Sequence, residues 1–276
     1  MILGLLIACV PSEPPQTCLA VTTHDDAGQV RLEDEDHALV VALETGANDL
    51  KVFQHGAPWM QPHWSSQTKV YNLWGGKERV LERLAQVRFG SWTNATVLNP
   101  WREDHEPVHE IESAWGGLVD AWGGAGFLLS LGDQAQFSPG QVCGVQRGQC
   151  STVKGGKPIV ELQTSDGETL RFMVDTAMIH SRIFRHGDQA VLLTEETSGA
   201  QLRAYPFREN RKAHYGSGEL GEGPIDGVVG WLDVAQSTWS WDLCSGQVSI
   251  TQAQALQPEQ PGAMRQAQRD NGHAVK

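Results

Sequence analysis

Compared with itself, this chain matches at two offsets, and a fold built twice from one unit is the simplest arrangement that produces such a pattern. At an offset of 120, Val40 falls on Val160, Leu50 on Leu170, Lys51 on Arg171 and Ala57 on Ala177. At an offset of 106, Asp120 falls on Asp226, Gly124 on Gly230, and Gly140-Gln-Val142 on Gly246-Gln-Val248. The change of offset gives the first copy 14 extra residues between these anchors. Each copy contains a strand, a polar turn (Thr45 to Asp49; Ser165 to Thr169) and a second apolar strand. Alternating apolar residues, Gly-marked turns and few 3.6-period stretches predict an all-β fold of two pseudo-symmetric lobes with a cleft between them. The predicted divisions are a leader over 1–8, a tether over 9–29, lobes over 30–148 and 149–252, and a disordered tail over 253–276 that is rich in Gln, Ala, Pro and Gly.

At 276 residues the chain is long enough to give two lobes real cores. Its formal net charge of -12, with no basic stripe, excludes a nucleic-acid partner. The apolar run Met1 to Val10 is about half of a bilayer span, which excludes an integral membrane protein.

Leu6-Ile7-Ala8-Cys9 resembles the lipobox of bacterial lipoproteins. The resemblance implies cleavage before Cys9, lipidation of its thiol, and a cell-envelope location facing the periplasm or the exterior. Membrane contact would then run only through that anchor. Val10 to Thr17 is a Pro-rich, stiff tether. The remaining Cys18, Cys143, Cys150 and Cys244 suggest two disulfides in an oxidising compartment, with three connectivities open and the short Cys143–Cys150 loop the first expectation.

Leu170-Arg-Phe-Met-Val-Asp175-Thr176-Ala177 sets an acid directly after an apolar strand. A carboxylate buried there costs several kcal/mol unless paired or hydrogen-bonded, so its place calls for a function; an Asp–Thr turn closing a strand is the plainer alternative. The segment Phe172 to Ile183 resembles the active-site segment of retropepsin-like and pepsin-like aspartic peptidases. Ile225-Asp226-Gly227-Val228-Val229-Gly230 resembles the second signature of that family, and Trp239 to Ile250 its closing strands. Lys69 to Val80, through Tyr71, Trp74, Gly75 and Gly76, forms a hairpin pattern where such a lobe carries its flap.

The resemblance implies a bilobal acid-protease-like fold, a monomer without metal or cofactor, that takes an extended polypeptide into the inter-lobe cleft. Asp175, Thr176 and Ala177 would lie at the centre of that cleft, with the hairpin residues against the substrate. The family mechanism needs two carboxyls sharing one proton, one activating water and the other protonating the carbonyl oxygen. The offset of 120 puts His55 where the second acid belongs, and Gly56 where a bracing hydroxyl belongs. A His–Asp pair favours the ionised carboxylate, so impaired catalysis is expected. The alternatives are a working acid endopeptidase using Asp175 with another partner, and a Trp-lined glycan-binding lipoprotein.

Other motifs point elsewhere. His105-Glu106-Pro107-Val108-His109 spells a zinc-peptidase signature, but Pro107 breaks the helix that chemistry needs, so a solvated loop is expected. Ten tryptophans are many; Trp239 and Trp241, alternating on one strand face, are expected in the core. Asp120 maps to Asp226 in the later motif and not to the catalytic turn.

Overall fold

The computed structural model describes residues 16–24, 27–33, 35–47, 50–53, 65–73, 76–84, 87–89, 92–98, 119–148, 150, 157–184, 189–206 and 225–253. They are mostly β, as expected. The first strands are β1 (Gln16–His24), β2 (Ala27–Glu33), β3 (Ala38–Leu43), β4 (Leu50–Phe53), β5 (Ser65–Leu73), β6 (Gly76–Leu84), β7 (Val87–Phe89), β8 (Trp92–Leu98) and β9 (Ala121–Gly123). Helix α1 (Ala125–Leu131) leads to β10 (Gln134–Ser138) and β11 (Gln141–Val145). Then come β12 (Ile159–Thr164), β13 (Thr169–Val174), β14 (Arg182–Ile183), β15 (Val191–Thr194), β16 (Gln201–Pro206) and β17 (Gly227–Val229). Helix α2 (Trp231–Ala235), β18 (Ser237–Asp242) and β19 (Val248–Ala253) follow.

Two large sheets and one two-stranded sheet organise these strands. An 11-stranded sheet runs β19-β18-β10-β11-β1-β2-β3-β9-β4-β8-β7, and β12-β13-β17-β14-β16-β15 closes into a barrel. The predicted hairpin is β5–β6, paired from Ser65↔Leu84 to Leu73↔Gly76 in a sheet of its own. Period-2 burial drives the pairing: β2 buries Val30 and Leu32 and exposes Arg31 and Glu33, while β10 buries Ala135 and Phe137. One continuous apolar core joins Leu39, Val41, Phe127 and Leu128 to Phe172, Trp231, Trp239 and Trp241, where the sequence suggests two separate cores.

Pairings recur along the chain. Parallel β3·β9 pairs Val41 with Ala121, and parallel β13·β17 pairs Phe172 with Gly227. Lys51↔Trp122 in β4·β9 recurs as Arg182↔Val228 in β14·β17. The hairpins β10–β11 and β18–β19 turn at Gly140 and Gly246, with φ of 81° and 79°, a conformation that favours glycine.

Three expectations are corrected here. Residues 16–24 of the expected tether form β1, because Leu19 and Val21 pack against the core and both strand edges find partners. The strands β18 and β19, expected in the second lobe, join the large sheet through β10. The disulfides are Cys18–Cys143 and Cys150–Cys244, not Cys143–Cys150, since β1·β11 pairing sets Cys18 directly opposite Cys143. Of the expected tail, Ala253 closes β19 and the rest lies outside the described residues.

Candidate functional site

The site forms where two apolar strands end in the same three-residue pattern. After β3 comes Glu44-Thr45-Gly46; after β13 comes Asp175-Thr176-Ala177. Each turn closes on itself, Ala47 N–H donating to the Glu44 carbonyl (2.9 Å) and Met178 N–H to the Asp175 carbonyl (3.0 Å). Each acid is fixed by a neighbouring strand: Glu44 N–H donates to the Gly123 carbonyl (3.0 Å), Asp175 N–H to the Val229 carbonyl (2.9 Å). A short helix begins beside each turn, Ala125 N–H reaching the Ala47 carbonyl and Trp231 N–H the Met178 carbonyl.

The two threonines lock the turns together. Thr45 N–H donates to Thr176 Oγ1 (3.0 Å) and Thr176 N–H to Thr45 Oγ1 (3.1 Å). The Thr45 hydroxyl then donates to the Val174 carbonyl (2.6 Å), and the Thr176 hydroxyl to the Leu43 carbonyl (2.7 Å). Both threonines are 1% exposed, so these four bonds are shielded from water.

Beside this lock the Glu44 carboxyl feels the charge of Asp175. Asp175 is buried, and its Oδ1 accepts the Ala177 N–H at 3.1 Å. Gly46 lies against it: a methyl group there would stand 3.3 Å from Asp175 Oδ1. Glu44 Oε2 is buried with no hydrogen-bond partner. Burial, and next the charge on Asp175, push the Glu44 carboxyl up to about 8, while Lys51 and Lys157 pull it down. Glu44 therefore keeps its proton well above the ordinary carboxylate range, with the Asp175 charge as one cause.

This corrects the expected partner. The segment that meets the Asp175 turn is Glu44 to Gly46, at an offset of 131, whereas the offset of 120 nominated His55. His55 itself lies outside the described residues, as do Gly56, Cys9, Trp74, Gly75 and the His105–His109 motif. The bracing hydroxyl expected to be missing opposite Thr176 is present on Thr45. Tyr71 and Gly76 lie on the hairpin strands β5 and β6. The signal that could have found Glu44 was an apolar strand followed by acid, Thr and a small residue, with Glu admitted for Asp.

The offset of 106 holds. Asp120 Oδ2 accepts the Val40 N–H (2.8 Å) and Asp226 Oδ2 accepts the Arg171 N–H (3.0 Å), so both acids hold strands in place away from the pair. Trp122, Trp231, Trp239 and Trp241 are core residues and present no stacking face for a sugar. No protein-family model matches the chain, and no curated protein matches it.

A second acid strengthens one consequence. Burial raises Asp233 to about 6 against the opposing hydrogen bonds from Ser181, whose hydroxyl donates to Asp233 Oδ2. Both folded acids sit above their ordinary values, so between those values and the raised ones the folded state binds more protons than the unfolded state. Stability is then fully present at pH 4 and is lost as pH rises through 6 and 8. Thermal melts from pH 4 to pH 8 are expected to show a falling Tm. Glu44→Gln would flatten the upper half of that curve and Asp233→Asn the lower half.

Proposed function

We propose that this chain is an aspartic-peptidase-like hydrolase of extended polypeptides, with Glu44 and Asp175 as its catalytic pair and a cleft between two pseudo-symmetric lobes as its binding site. The carrying observation is the reciprocal threonine lock, which brings two acid-bearing turns together, with the Glu44 carboxyl raised. Approximate two-fold symmetry is supported by the central pairing of β10 with β18, in which Ala135 faces Trp241, its own counterpart at the offset of 106. The expectation of impaired catalysis rested on an imidazole opposite Asp175; the facing turn carries an acid instead.

In this mechanism Asp175 takes a proton from water, whose oxygen bonds to the scissile carbonyl carbon, and Glu44 gives its proton to the carbonyl oxygen. Collapse of the diol breaks the C–N bond as a proton passes to the leaving nitrogen. The β5–β6 hairpin is proposed as the flap over the substrate, with backbone pairing as the main source of affinity. Export and lipid anchoring at Cys9 remain part of the proposal, supported by the two disulfides that pair the other four cysteines.

Incubation with unfolded protein substrates from pH 3 to pH 7, read by mass spectrometry, tests this. Cleavage lost in Asp175→Asn is expected. Absence of cleavage by the folded protein across that range overturns the hydrolase reading.

A further inference from the structure

We propose that Lys157 is a positioning residue of the acid pair: its ammonium ties down the Glu44 turn and holds a positive charge beside both carboxyls. This rests on the Glu44–Asp175 reading and goes beyond it, since two carboxyls alone complete that reading.

The register shows how Lys157 arrives. Antiparallel β12·β13 pairs Ile159 with Met173, and Val174 N–H donates to the Pro158 carbonyl at 2.8 Å. Carried one step further, that register sets Lys157 level with Asp175. From there Nζ reaches across to the other turn and donates to the Gly46 carbonyl. Gly46 is the residue that abuts the Asp175 carboxyl, so the ammonium is anchored within the turn that presents Glu44 and touches Asp175. The matching register of β2·β3, which pairs Gln29 with Ala42, sets Ala27 level with Glu44 when extended. One side of the pair therefore has a cation where the other has a methyl group.

The charged groups facing Glu44 are Asp175 from the opposite turn, Lys51 from β4 and Lys157 ahead of β12. Lys51 is buried in its strand, while Lys157 is half-buried just ahead of β12. A fixed cation there holds both proton-exchange steps of the pair at lower pH and keeps the two turns in one arrangement.

The test uses the full-length protein with 13C-labelled Glu side chains, the Glu44 carboxyl signal being assigned by its loss in Glu44→Gln. In Lys157→Gln the titration midpoint of that signal is expected to rise by about one pH unit. In Lys157→Arg, which keeps the charge, it is expected to stay within about 0.3 of the wild-type value. An unmoved midpoint in Lys157→Gln, or an equal rise in Lys157→Arg, overturns the proposal. If Lys157→Gln does not fold, Lys157→Met takes its place with the same expected rise. The titration is read without catalysis. A raised midpoint without peptide cleavage removes only the hydrolase reading, and cleavage with an unmoved midpoint removes only the role of Lys157. In an active enzyme, both limbs of the pH–kcat/KM profile would move to higher pH with Lys157→Gln, which a purely structural loss would not produce.

Discussion

If the chain hydrolyses peptides as proposed, replacing Glu44 with Gln should lower kcat by about 10³-fold, and in any case it should raise thermal stability at pH 7. The two effects have one cause. Gln keeps the length and shape of a protonated Glu but has no acidic proton to deliver to the carbonyl oxygen, and general acid–base steps contribute about 10²–10⁴-fold. The stability gain follows because the wild-type carboxyl, raised to about 8, must hold a proton in the folded state that the unfolded chain would release at pH 7. Removing that requirement is worth on the order of 2 kcal/mol, read as a higher melting temperature at pH 7 and little change at pH 4. Glu44→Asp retains an acid but withdraws it by one methylene, so partial activity is expected. Steady-state kinetics and melting curves on the same preparations decide the matter. A Gln variant with full activity would remove Glu44 from the mechanism.

Thr176→Val should be the most damaging conservative substitution near the site. Valine preserves volume and branching but removes the hydroxyl that accepts the Thr45 N–H and donates to the Leu43 carbonyl. Both groups would be left buried and unpaired, at about 1–3 kcal/mol each. A loss of about 2–4 kcal/mol and a fall in Tm of roughly 5–12 °C are expected. Thr45→Val, which strips the Thr176 N–H and the Val174 carbonyl, should cost a similar amount. Because the four bonds form one lock, the double variant should lose less than the two single losses together. Activity should fall further than stability explains, since the lock also sets the spacing of the two acids.

Much of this was legible in the sequence, and what was missed has a physical reason. Asp175 at the end of an apolar strand, the β5–β6 hairpin, the turn glycines Gly140 and Gly246, and the pairing of Asp120 with Asp226 all follow from side-chain periodicity or special turn conformations. Glu44 did not follow, because the offset of 120 rested on four sparse matches, Val40, Leu50, Lys51 and Ala57, whereas the turns are related by 131. The two offsets differ by 11 residues, enough to carry the position facing Asp175 out of the turn that follows β3 and past the next strand. The first copy therefore carries 25 extra residues between the anchors, not 14. The disulfides were missed because loop length favours neighbours, while strand pairing brings Cys18 to Cys143 across 125 residues. The placement of β18 and β19 in the large sheet depends on a pairing with β10 that no local pattern encodes.

The central position of β1 governs how this chain must be made. Lying between β11 and β2, the first described strand to emerge during synthesis gains its second neighbour only after residue 145 has followed it. Contacts so distant along the chain form slowly, whereas the pairings of β1 with β2 and of β2 with β3 are local. Oxidation of Cys18 with Cys143 then joins strands 125 residues apart and makes the finished sheet hard to reopen.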